Sequence, residues 1–168
     1  LSNIADKEEV KYEKEALHVI AEKADGALRD ALSCFDLMVN FCSGNITYKE
    51  VVKNLNILDH DYYFKISDNL ISHNFSSVLL ILDKIISKGF QVDQLLSGLS
   101  KHFRNLLVCK NAETHILFMK SDQIKEKYVK QSIQCDVNFL IESLNICNDC
   151  DVNFKNTANQ RLLIELTL

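Results

Sequence analysis

In the run Ala24-Asp25-Gly26-Ala27-Leu28-Arg29-Asp30-Ala31-Leu32-Ser33, the spacing puts a guanidinium in the first turn of an amphipathic helix. Asp25 is a candidate acceptor for the free N–H groups of that turn, and Gly26 lets the chain bend into it. Leu28, Ala31, Leu32, Phe35 and Val39 recur at helical spacing and predict a buried face. A cation at this end of a helix opposes the dipole, while the neighbouring N–H groups favour anions. The chemistry that suits such an arginine is recognition of a phosphate. The alternative is a surface charge paired with Glu22 or Asp30.

That string resembles the second sensor motif of the AAA+ ATPases. It is most similar to the lid of the bacterial clamp-loader ATPases, the gamma/tau family of DNA polymerase III. The pattern runs without a departure from Gly26 to Ser33 and is preceded by Ile20-Ala21-Glu22-Lys23-Ala24-Asp25. Weaker similarity continues through Ile46-Thr47-Tyr48, Leu58-Asp59 and Arg161-Leu162-Leu163-Ile164-Glu165-Leu166-Thr167-Leu168. The resemblance implies that Arg29 contacts ATP phosphates in the intact parent protein, with Leu28 against the adenine. It also implies that the later helices form a collar, which assembles with the other clamp-loader subunits. Sliding clamp and primed DNA are then met only through the whole complex.

The chain has no Gly-x-x-x-x-Gly-Lys-Ser/Thr loop, and Gly26, Gly44, Gly89 and Gly98 are its only glycines. It therefore offers no cradle of N–H groups for phosphates and no lysine to bridge them. No acidic strand end is available to hold magnesium. ATP and Mg belong to the parent, no cofactor is expected in this chain, and no ATP turnover by it is expected. Leu1 opens inside a helical pattern without a methionine. The expectation is a piece of a larger protein whose first helix is cut short and whose residues 1–10 fray.

At 47% hydrophobic and 25% charged, the composition is that of an ordinary globular protein. No apolar run approaches the roughly 20 residues that span a bilayer. The net charge of −4 argues against a general nucleic-acid surface. It is unevenly placed: residues 1–43 carry 5 Lys/Arg against 9 Asp/Glu, and residues 44–168 carry 14 of each. The change falls at Ser43-Gly44-Asn45, the expected domain boundary and hinge. Cys34, Cys42, Cys109 and Cys135 lie among apolar residues and read as small hydrophobes. Cys147 and Cys150 form a C-x-x-C without a second pair or a nearby histidine, so no metal is expected. Free thiols suit a reducing compartment, the cytoplasm.

The chain has no proline and reads as helices throughout. They are expected over residues 12–23, 25–41, from Thr47-Tyr48-Lys49-Glu50 (a capping-box spacing), from Asp59 or Asp61, and over 75–88, 91–109, 121–131, 137–148 and 153–166. The fold class is all-α. Residues 1–43 are expected to form a truncated three-helix AAA+ lid, and residues 46–168 a helical-bundle collar that mediates oligomerisation. His18, His60, His73, His102 and His115 are isolated from one another in sequence, and no nucleophile motif occurs. Lys101 with Arg104, and Lys125, Lys127 and Lys130, read as solvated helix faces. Two other readings are an independent helical adaptor, or the lid and helical domain of another AAA+ replication or repair ATPase.

Overall fold

The computed structural model describes residues 1–24, 26–118 and 122–168. In chain order its elements are α1 (Ser2–Lys7), β1 (Lys11–Tyr12), α2 (Lys14–Lys23), α3 (Leu28–Phe41), β2 (Asn45–Ile46), α4 (Tyr48–Asn54), α5 (His60–Ile71), α6 (Phe75–Ser87), α7 (Val92–Val108), a 3₁₀ turn (Ala112–Leu117), α8 (Asp122–Gln134), α9 (Val137–Phe154) and α10 (Gln160–Thr167). The class is all-α, with a single two-residue parallel pair between β1 and β2 among the described residues. The chain divides into two units, Leu1–Ile57 and Leu58–Leu168.

The first unit is built around Ile20 of α2 and Phe35 and Met38 of α3, with Ala5, Ala16, Ile46 and Val51 fully buried beside them. The α3 face is rotated from the expected one. Ala31, Phe35 and Met38 point inward, Leu32 and Val39 are half-buried, and Leu28 lies outside. Residues 1–10 are held rather than frayed. Ala5 is buried, its carbonyl accepts from Val10 N–H at 2.9 Å, and the Tyr12 hydroxyl donates to Asp6 at 3.1 Å.

The boundary expected at residues 43–46 is not a break in packing. β1 pairs with β2 in the register Lys11 to Asn45 and Tyr12 to Ile46, and Val51 of α4 sits in the first core. The core runs on to Ile57, and Leu58 is the first residue of the second one. A charge shift records what a surface carries, whereas the packing boundary depends on where apolar side chains go.

Helix α3 ends with Ser43 at φ 49° and the Gly44 N–H donating to Val39 C=O at 3.1 Å. The left-handed cap residue is thus the serine, and Gly44 after it is also at positive φ, +80°. At α4 the Thr47 hydroxyl oxygen accepts from Glu50 N–H at 3.4 Å and donates to the Glu50 carboxylate at 2.9 Å. Glu13, the N-cap residue of α2, accepts from Tyr48 N–H at 2.7 Å. The first turn of α4 is therefore capped partly from the start of α2, which ties the two together across the expected boundary.

In the second unit α7 supplies the buried row Leu95, Leu96, Leu99, Phe103 and Leu106. Tyr63 and Ile66 of α5, Val78, Leu82 and Ile85 of α6, Leu140 and Cys147 of α9 and Ile164 of α10 belong to the same core. Gly98 lets α5 approach α7 closely, since a Cβ there would lie 2.0 Å from the Tyr63 hydroxyl oxygen. Asp59, Asn74, Asp136 and Asn159 cap α5, α6, α9 and α10, each accepting from a first-turn N–H. Helix α9 runs on to Phe154, so α10 begins later than expected. The expected start of α8 at Ser121 lies outside the described residues.

Candidate functional site

Gly26 at φ +84° turns the chain between α2 and α3, a conformation that a Cβ would strain. Ala27 follows in extended geometry as the N-cap of α3, and no side chain among the described residues caps that helix. Asp25, the expected cap, lies outside the described residues. Leu28 and Arg29 are the first two residues of α3, and both are exposed, Leu28 at 67%.

The Arg29 side chain makes no hydrogen bond or ion pair among the described residues; its backbone carbonyl accepts from the Ser33 hydroxyl at 3.0 Å. Among the described residues, a helix start without a side-chain cap, an apolar side chain in water and a guanidinium with open donors meet at one place. Such a place can take an anionic oxygen on Arg29 and apolar surface on Leu28. The residues present fit a share of a nucleotide site, its phosphate contact, and not the whole of one. Among the described residues no three histidine, cysteine or carboxylate side chains are grouped to hold a metal ion.

The other candidates from the sequence have local roles. Asp59 caps α5, Asp61 pairs with Lys127 at 3.1 Å, and Asp68 accepts from Gln131 at 2.7 Å. Cys147 and Cys150 face the core of the second unit. Burial pushes the Cys147 thiol up, against a smaller opposing effect of a hydrogen bond with Ser100. Burial likewise raises the Cys109 and Cys135 thiols. Thiols held protonated are poor nucleophiles and poor metal ligands. No described helix is long and apolar enough to cross a membrane.

Residues 1–44 match the family described as "DNA polymerase III clamp loader subunit, ATPase lid domain". That segment is thus similar to a clamp-loader ATPase lid, and further helices follow it in the chain. Over longer stretches the chain is similar to bacterial DNA polymerase III gamma/tau subunits. The chain is 25% identical over its whole length to the tau subunit of Bacillus subtilis, of which it covers 30%. Over 100 residues, 59% of this chain and 17% of the relative, it is 36% identical to the gamma/tau subunit of Mycoplasma genitalium. The chain thus spans less than a third of the length of these relatives. A solved structure of the Bacillus subtilis DNA clamp loader delta protein shares the fold, with a TM-score of 0.59 and 15% identity over 98% of this chain and 52% of that one.

Proposed function

We propose that this chain is the lid and collar region of a clamp-loader ATPase subunit that works in bacterial DNA replication, in the cytoplasm. Arg29 contacts the phosphates of ATP bound by the parent, and Leu28 gives the adenine an apolar contact. ATP, when bound, supplies the phosphate charge that the guanidinium reads. Its phosphate cradle and its magnesium ligands lie in other parts of the parent, and residues 1–168 alone do not hydrolyse ATP. The observation that carries this reading is the exposed Arg29 at the start of α3, without a side-chain partner among the described residues and inside the segment that matches the lid family.

The second unit, Leu58–Leu168, is the assembly element in this proposal. Leu80, Ile133, Val152 and Leu166 stand 71%, 77%, 67% and 77% exposed on different helices of that segment. Apolar side chains spread in this way suit contacts with neighbouring subunits on more than one face, as a ring of head-to-tail contacts requires. Sliding clamp and primed DNA are engaged through the assembled complex.

The test is a full-length subunit truncated after Ile57. It should still bind ATP, as followed by fluorescent-nucleotide titration, but should elute alone when mixed with the other clamp-loader subunits. Co-elution of the truncated subunit in a full-size complex would contradict the collar assignment.

A further inference from the structure

Helix α8 packs on its unit through Tyr128 and the half-buried Ile124 and Val129, together with buried polar side chains. Its described buried residues are Tyr128, Gln131 and Ser132, while Ile133 is exposed. Helix α9, by contrast, buries Leu140, Cys147 and Cys150. Tyr128 and Gln131 both meet His102 of α7, which is only 1% exposed. The His102 Nδ1 lies 3.0 Å from the Tyr128 hydroxyl, and Nε2 lies 2.9 Å from Gln131 Oε1.

The tautomer follows from the far end of the glutamine. Gln131 Nε2 donates to Phe64 C=O at 2.9 Å and to the Asp68 carboxylate at 2.7 Å. Neither a carbonyl nor an ionised carboxylate has a proton to give, so the amide must turn its nitrogen toward them and its oxygen toward the ring. In its neutral form the imidazole thus carries its proton on Nε2 and accepts at Nδ1 from the Tyr128 hydroxyl, so that both ring nitrogens are committed to α8.

We propose that His102 is an acid-sensitive latch for α8: a second proton, on Nδ1, releases this helix from α7 and α5. To keep its contact, the Tyr128 hydroxyl would have to turn its hydrogen away from Nδ1 and accept instead, and a full charge would lie inside an aromatic cluster. Phe64 stands edge-on to the ring at 4.8 Å, with Tyr63 at 6.1 Å and Phe103 at 6.1 Å. Among the described residues, the titratable and charged groups around it come from four elements. Helix α8 brings Tyr128, and the exposed Lys127, which is paired with Asp61 of α5. Helix α5 brings Tyr63, His60 beyond it at 6.5 Å, and Asp68, which reaches the network only through the Gln131 amide. The 3₁₀ turn brings His115, which faces the Cys109 carbonyl at 3.2 Å, and α7 itself carries the exposed Lys101 and Arg104. None of these contacts places a carboxylate on the ring.

The sign is fixed by where the proton binds. With α8 docked the ring is neutral, whereas in the open state it takes a proton at the ordinary histidine pKa of about 6.5. Docking is therefore fully stable above that pH and weakens as the pH falls below it. The opening equilibrium rises by up to about tenfold per pH unit for one proton taken up.

Hydrogen exchange of the whole chain at pH 7.5, 6.5 and 5.5, corrected for intrinsic rates, tests this. Protection of residues 124–134 should fall by up to about tenfold per pH unit below 6.5, while residues 95–106 keep theirs. His102→Gln should make α8 protection independent of pH over this range. Nitrogen-15 spectra of the histidines in the wild-type chain give a second readout, independent of whether the variant folds. They should show the Nε2–H tautomer of His102 at pH 7.5, and its protonation should coincide with the loss of α8 protection. Protection of α8 that ignores pH, a His102 that protonates while α8 stays protected, or an equal acid response in His102→Gln would each overturn the latch.

Discussion

Arg29→Ala in the full-length subunit is expected to lower ATP-dependent clamp loading by about ten- to a hundredfold. The magnitude is that of one hydrogen bond to a charged group, about 1.5–3 kcal/mol. The same substitution should shift the stability of the first unit by no more than about 0.5 kcal/mol, the usual range for an exposed residue without structural partners. Arg29→Lys should recover only part of the loss, because an ammonium keeps the charge and lacks the planar fork. Loading is read with labelled clamp and primed DNA, and stability by thermal melting of the chain. A wild-type loading rate for Arg29→Ala would remove the sensor assignment.

Phe35→Ala is expected to unfold the first unit and spare the second. Phe35 is 1% exposed and sits in the core formed by α2, α3 and α4. Removing a buried phenylalanine ring costs about 3–5 kcal/mol. A unit of the size of Leu1–Ile57 has roughly 3–9 kcal/mol in all at ordinary stability per residue. The two units have separate cores, so amides of α7 and α9 should keep their exchange protection in this variant. Equal loss of protection in both units would mean that they fold as one.

Much of this was legible in the residues themselves. The string from Gly26 to Ser33 located the start of α3 and its arginine, because a glycine turn and a helix start are local events. The long apolar rows of α6 and α7 were legible for the same reason: Val78, Leu82 and Ile85 of α6, and Leu95, Leu99 and Phe103 of α7, lie at helical spacing and face one core. Leu28 fitted the α3 stripe by spacing, yet it stands in the first turn, where nothing covers it. The β1–β2 pair is two residues on each side, too short for any alternation to register.

The polar network around His102 was illegible for a different reason. Its members are brought together from sequence separations of 26 to 67 residues. Each alone reads as an isolated histidine, a helical tyrosine, a glutamine or an acidic residue on a helix. The end of the first unit was misplaced because Val51 and Ile57 declare their core only once α4 has packed on α2. Local composition carries no record of that contact.

The central claim, that this chain joins a clamp-loader lid to the element that assembles the complex, is tested most directly by competition. The folded chain is titrated into clamp-loader subunits during reconstitution, and complex mass is followed by light scattering. The full-size complex should give way to species in which this chain replaces the full-length subunit, with ATP-driven loading lost in step. A full-size, fully active complex at saturating concentrations of the folded chain would contradict the claim.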